Sequence, residues 1–245
     1  MEVHAHTHTP RKKWTHYLWE FIMLFLAVFC GFLAENLREH QVEHHREKQF
    51  MKLMVEDLYT DTAELKDALL HADSASLYSD SVLMFLSTFK PAAEVPIKLG
   101  HDISFAGQRL KLINTDRTSS QLKNSGAMRI IRKESVANAL LLYWKQIEET
   151  RITLDRYLTY RDAGRETIFK LWVVPDIYIR AQHIPSDSVK STRVIEKDPH
   201  QWDYLANMIA MGGGIARQAY SRNLNKQFSM AKALIVLIKK EYDLK

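Results

Sequence analysis

The sequence predicts an all-α protein in which one N-terminal transmembrane helix continues into a helical neck and then an elongated antiparallel helical bundle. Only 8 glycines and 6 prolines occur among the 245 residues, roughly half the usual share, which disfavours turn-dense β-folds. Residues 11–90, 97–174 and 200–245 contain no proline, so helices can occupy most of these spans. An apolar run near the N-terminus supplies the membrane segment.

The anchor segment covers residues 14–34, and its apolar part is the run YLWEFIMLFLAVFCGFLA at 17–34. These residues contain a single charge, Glu20, and as a helix they span roughly 27 Å, just enough for a bilayer. The flanking residues are typical of a membrane interface: Trp14, Tyr17 and Trp19, preceded by Arg11, Lys12 and Lys13. A signal peptide is the competing interpretation, but no A-x-A-like cleavage site closes the run and bulky Phe29 precedes Cys30. We therefore expect an uncleaved anchor.

The orientation of the anchor follows from its flanking charges. The tail, residues 1–13, carries a contiguous basic cluster beside the membrane, whereas Arg38, Arg46 and Lys48 on the other side are interspersed with acids. This asymmetry favours a cytoplasmic N-terminus in a bacterial inner membrane and a periplasmic C-terminal domain.

One face of the anchor carries small residues and its charge. On a helical wheel the positions of this small face lie within about 40° of one line, and phenylalanines cluster opposite. The small face comprises Glu20, Leu24, Ala27, Gly31 and Ala34. Small residues let helices approach closely in lipid, so we expect this face to be a helix–helix interface. The alternative is that Glu20 snorkels to the interface and that the small residues are ordinary membrane-helix composition.

The neck, residues 35–49, is mostly polar, and the bundle domain follows at 50–245. Apolar spacings of three and four predict a helix over 50–72 and a second, separate helix over 77–89. Residues 91–115 read as loop with a short extended piece at 110–113. A helix at 117–124 is expected to end at a left-handed Gly126.

The second half of the bundle domain reads as two long helices with a polar loop between them. The first runs from Ser135 almost to Pro175, and the loop spans 175–198. Asp198 should cap the last helix, with Pro199 at its first position. Three glycines at 212–214 predict a kink, a break or a close backbone contact inside that helix.

The segment 121–144, QLKNSGAMRIIRKESVANALLLYW, follows a basic N-terminus that leads into an apolar anchor. This arrangement resembles an uncharacterised family of single-pass membrane proteins of Bacteroidetes-type bacteria, a domain of unknown function. The matching positions are Leu122, Ser125, Gly126, Arg129, Ile130, Tyr143 and Trp144. The C-terminal stretch 231–245 is similar too. The resemblance implies a membrane-anchored helical protein and carries no activity or catalytic residue.

Histidine is the most conspicuous candidate ligand, with eleven in the chain. His40 and His44 would share a helix face, but two ligands make an incomplete metal site, so solvated histidines are the preferred interpretation. The carboxylates of Asp57 and Asp61 fit a solvated helix face. Phosphate-loop, dinucleotide, nucleophile-elbow and zinc-protease motifs do not occur, so we expect no enzyme and no cofactor.

These features favour a membrane-anchored interaction or scaffold protein of the bacterial cell envelope. The net charge of +5 is spread among interleaved acids and bases, so no nucleic-acid partner is expected. A homo-oligomer or an envelope protein partner is expected instead. The alternative is an extracytoplasmic ligand-sensing bundle that signals through a partner subunit, because the short N-terminal tail cannot hold a signalling domain.

Overall fold

The computed structural model describes residues 14–90, 94–172 and 191–244 and is 85% helical, which confirms the all-α prediction. The chain divides into two compact units, 1–49 and 50–245. The helices are α1 (Trp14–Thr88), α2 (Ile97–Ala106), α3 (Arg117–Asn124), α4 (Glu134–Leu171), α5 (Pro199–Gly214) and α6 (Ser221–Glu241). A 3₁₀ turn covers Ala127–Ile130, and a π-helical segment, Ile215–Tyr220, joins α5 to α6.

Helix α1 runs to Thr88 without the break predicted after Ser74. The prediction of a separate helix at 77–89 is therefore wrong. Serines in this stretch do not end the helix because the fold buries and satisfies them. The Ser79 hydroxyl donates to the Ala75 carbonyl at 2.7 Å, and Ser76 accepts a hydrogen bond from Arg217 at 2.6 Å.

The core of the second unit consists of three stacked layers, and the residues in each layer show the relative directions of the long helices. The first layer joins Met51–Leu58 of α1 to Val136–Trp144 of α4 and Ala231–Ile238 of α6. The second joins α1 at 65–75 to α4 at 154–157 and the chain at 215–224. From the first layer to the second, residue numbers rise in both α1 and α4 and fall in the α5–α6 run. Helices α1 and α4 are therefore parallel, and the α5–α6 run is antiparallel to both.

The chain between α1 and α4 is more structured than the predicted loop over 91–115. Strand β1 (Glu94–Pro96) leads directly into α2, whose Leu99 and Ile103 enter the third core layer beside Trp172 and Trp202. The extended piece expected at 110–113 is not a strand, although Leu110 is buried. A connection of this size is needed because α1 and α4 are parallel, so the chain must return to its starting end.

Most of the predicted helix ends are confirmed. Gly126 has φ 67° and follows α3, and the Asp198 carboxylate accepts from the His200 amide at 3.0 Å, with Pro199 first in α5. Most of the loop predicted at 175–198 lies outside the described residues. Its described end forms strand β2 (Ser191–Arg193), which pairs antiparallel with β1.

Candidate functional site

The small face lies on the uninterrupted first part of α1. All five of its residues are exposed, and none of the apolar 18-residue stretch that contains it is buried. A Cβ added to Gly31 would meet no atom within 4 Å. The small face is therefore a shallow groove on the helix surface that no other described residue covers.

Glu20 has a partner one turn away on its own helix. Nε2 of His16 lies 3.1 Å from Oε1 of Glu20, an i, i+4 spacing that places both groups on one face. The opposite face carries stacked phenylalanines, with ring centroids 6.4 Å apart for Phe21 and Phe25 and 5.9 Å for Phe25 and Phe29. The asymmetry predicted from the helical wheel is thus present, with a charged, small side and an aromatic side.

The histidine candidates do not assemble into a metal site in the described residues. No group of three or more His, Cys, Asp or Glu side chains that could hold a metal occurs in 14–90, 94–172 or 191–244. His44 has an acidic neighbour, since its Nδ1 lies 3.6 Å from the Glu47 carboxylate. The tail histidines at 4, 6 and 8 lie outside the described residues.

The polar layer, a mostly buried set of polar side chains in the second unit, is the feature that sequence reasoning missed. Asp57 and Asp61 are 3% and 2% exposed, so the prediction that they lie on a solvated face is wrong. Polar groups from α4 and the 114–118 segment contact them, and Gln227 of α6 lies beside Tyr143. The polar layer comprises Asp57, Asp61, Asn114, Tyr143, Gln146 and Gln227.

The two aspartates hold the segment that begins α3. The Asp57 carboxylate accepts from the Arg117 guanidinium at 2.8 Å and from the Thr118 amide at 3.0 Å. It therefore caps the N-terminus of α3 from another helix, which satisfies an amide that α3 itself leaves unpaired. Asp61 accepts from the Thr115 amide at 2.7 Å and from the Tyr143 hydroxyl at 2.8 Å.

Asp61 and Tyr143 share a hydrogen bond in an environment that disfavours charge. Burial raises the pKa of the Asp61 carboxyl, and hydrogen bonds from Thr115 and Tyr143 only partly oppose that effect. Burial also raises the pKa of the Tyr143 hydroxyl, and the Asp61 charge adds to the rise. The pair therefore favours the neutral phenol and retains a proton on the carboxyl to higher pH than usual.

A sequence signal for the polar layer did exist. On a helical wheel Asp61 falls within about 20° of the line through Met54 and Leu65, which are both buried. A carboxylate inside an apolar stripe indicates a buried polar contact. The partners of that carboxylate, however, come from α4 and from the 114–118 segment, which no spacing rule on α1 identifies.

Another charged side chain with little exposure, that of Arg161, lies on α4. The Arg161 side chain is 9% exposed, donates from Nε to the Gly107 carbonyl at 2.8 Å and pairs with Asp162. It borders a cavity of about 30 Å³ that Tyr160, Gly164 and Gly212 also line, which is room for about two waters. The ligand-sensing alternative stays a prediction, because a space of this size does not identify a ligand.

Comparison of the chain with protein-family models, with curated proteins and with solved structures finds no match. The resemblance to a single-pass membrane family accordingly stays a prediction. The exposed apolar segment of α1 is the most prominent functional feature of the chain's own geometry. Among the described residues, one helix is long and apolar enough to cross a membrane, a property that a signal sequence shares.

Proposed function

We propose that this chain is a membrane-anchored helical interaction or scaffold protein of the bacterial cell envelope, acting without catalysis. One observation carries the proposal: the apolar stretch of α1 has no protein cover in the described structure. Val28, Leu24 and Phe29 are 71%, 68% and 46% exposed. Soluble proteins rarely leave so large a continuous apolar surface in water, and a bilayer removes that surface from water.

The core helix of a soluble protein can be equally long and apolar, but its side chains would be covered by the rest of the protein. A cleaved signal sequence is the remaining competitor. The unbroken helix from the apolar stretch through residue 49 supports an anchor, since the neck then continues the spanning helix. Intact-mass measurement of the protein purified from membranes distinguishes the two. We expect the uncleaved mass, and a mass lacking the first thirty or so residues would contradict an anchor.

The proposed orientation places the N-terminus in the cytoplasm and the bundle in the periplasm of a bacterial inner membrane. Support comes from the acid-free basic cluster at 11–13 and the rule that such clusters remain cytoplasmic. Alkaline phosphatase fused after Lys245 should be active, and a fluorescent protein that matures only in the cytoplasm should stay dark at the same position. The reverse pattern would place the bundle in the cytoplasm.

The proposed partner at the membrane level is a second copy of the anchor, packed through the small face. The open space beside Gly31 lets a second helix approach, and dispersion contacts in such a groove exceed those that lipid tails make. Glu20 would then face protein, which lowers the cost of keeping a carboxyl in the membrane. An envelope protein could occupy the same face, and copurification after crosslinking in native membranes would identify it.

Gly31→Ile tests this face directly. The isoleucine fills the groove and weakens self-association, while its apolar side chain preserves insertion. The matched control is Phe25→Leu on the aromatic side, which should leave association unchanged. A membrane two-hybrid reporter carrying residues 11–40 measures association at matched insertion. Equal signals for the wild type and Gly31→Ile would show that the small residues are ordinary membrane-helix composition.

A further inference from the structure

Gln227 is the least satisfied buried side chain of the polar layer. It is 0% exposed, and neither its amide nitrogen nor its amide oxygen makes a hydrogen bond of ordinary length among the described residues, although the amide lies close to the Tyr143 hydroxyl. A buried amide left in this state costs the desolvation of both atoms. Either this cost destabilises the bundle or a non-protein group satisfies the amide.

The neighbours of Gln227 are in the same condition. Asn114 and Gln146 each have one amide atom, Nδ2 and Oε1 respectively, without a hydrogen bond of ordinary length in the described structure, and the Asn114 amide lies close to Asp61 and Tyr143. Gln146 is held at this level of the bundle by α6, because its Nε2 donates to the Asn223 carbonyl at 3.4 Å. Asn223 lies one turn before Gln227 on α6, and Gln227 and Asn114 both lie close to the hydroxyl of Tyr143, one turn before Gln146 on α4. The unpaired polar atoms thus come from three parts of the chain at one level of the bundle.

The chemistry of these atoms selects the occupant. Two are donors, Asn114 Nδ2 and Gln227 Nε2, and two are acceptors, Gln146 Oε1 and Gln227 Oε1. Rotating the Gln227 amide by half a turn exchanges its two atoms and leaves this balance unchanged. A cation satisfies acceptors only and an anion satisfies donors only, whereas water satisfies both.

The geometry points to a buried hydration site in the polar layer, where ordered water bridges the amides of Gln227, Gln146 and Asn114 next to Tyr143. A buried water makes about three hydrogen bonds, so four unpaired atoms call for on the order of one or two waters. The water separates the first and second layers of the apolar core. It also links α4, α6 and the segment before α3 through hydrogen bonds that no pair of side chains makes directly.

The test compares the full-length wild type with Gln227→Met in detergent micelles. Oxygen-17 water relaxation dispersion counts the waters that remain inside the protein longer than its rotation. Gln227→Met, which keeps the side-chain length and removes both polar atoms, should lose one or two of these waters. Its thermal midpoint should fall by several degrees, because Asn114 and Gln146 are left unsatisfied. Arg222→Met, on an exposed position of the same helix, should retain the full count and the midpoint.

Two results would overturn the hydration site. Equal water counts in the wild type and Gln227→Met would show that no long-lived water depends on this amide. A higher midpoint for Gln227→Met would show a dry layer, since removing an unsatisfied amide then relieves its desolvation cost. If Gln227→Met does not fold, Gln146→Met gives the same two readouts, and an unchanged water count in that variant is equally decisive.

Discussion

Replacing Gly213 by alanine should destabilise the bundle, although alanine is the better helix former. A Cβ at Gly213 would stand 2.6 Å from the Cβ and 2.8 Å from the Oγ of Ser79 on α1. Ser79 is 2% exposed, and its Cβ is fixed to the α1 backbone. No side-chain rotation removes the overlap, so α1 and α5 must move apart in a close-packed core.

The expected change in the free energy of unfolding is the sum of two opposing contributions. Alanine in a helix interior is favoured over glycine by about 1 kcal/mol. Overpacking a core by one methyl group costs about 1–3 kcal/mol, and an overlap against a backbone-linked carbon belongs in the upper half of that range. The free energy of unfolding should therefore fall by about 1–2 kcal/mol, which lowers the thermal midpoint by about 2–8 °C in a chain of this length.

The adjacent glycines provide matched controls. A Cβ at Gly214 would meet nothing within 4 Å, and one at Gly212 would lie 3.8 Å from the Tyr160 Cβ, an ordinary contact. Both alanine variants should raise the free energy of unfolding by up to about 1 kcal/mol. Thermal unfolding of the three variants in detergent, followed by circular dichroism, measures the difference. A Gly213→Ala midpoint equal to or above that of Gly214→Ala would refute the packing argument.

Two further predictions concern the aspartates of the polar layer, and the same unfolding measurement checks both. Asp57→Ala should lower the free energy of unfolding by about 2–3 kcal/mol, because it removes a charged hydrogen bond and leaves the buried Thr118 amide unpaired; a loss below about 0.5 kcal/mol would contradict this cap. Burial raises the pKa of Asp61 above its ordinary value of 3.8, so the folded state binds the proton more tightly than the unfolded state does. The free energy of unfolding should therefore decrease as the pH rises from about 3.8 through the folded-state pKa of Asp61. Asp61→Asn abolishes this titration, so the stability of the variant relative to the wild type should increase with pH over that interval, and a pH-independent difference would show that Asp61 does not titrate differently in the folded state.

Local and periodic features of the fold were predictable from the sequence. The cap formed by Asp198 and Pro199, the left-handed Gly126 and the irregularity after 212–214 are encoded by neighbouring residues, which is why spacing rules found them. The small face of the anchor follows in the same way from helical geometry alone. Whether a second helix covers it depends on a partner, which one chain does not contain.

The sequence by itself determined the helical class, the apolar anchor segment and most helix ends, because each depends on residues within a few turns of one another. Tertiary structure alone decided that α1 continues past Ser74, because the bonds that satisfy Ser76 come from Arg217, far along the chain. It also decided that Asp57 and Asp61 are buried. Their partners lie more than fifty residues away, and only the packing of α4 and the 114–118 segment against α1 supplies the hydrogen bonds that a buried carboxyl group needs.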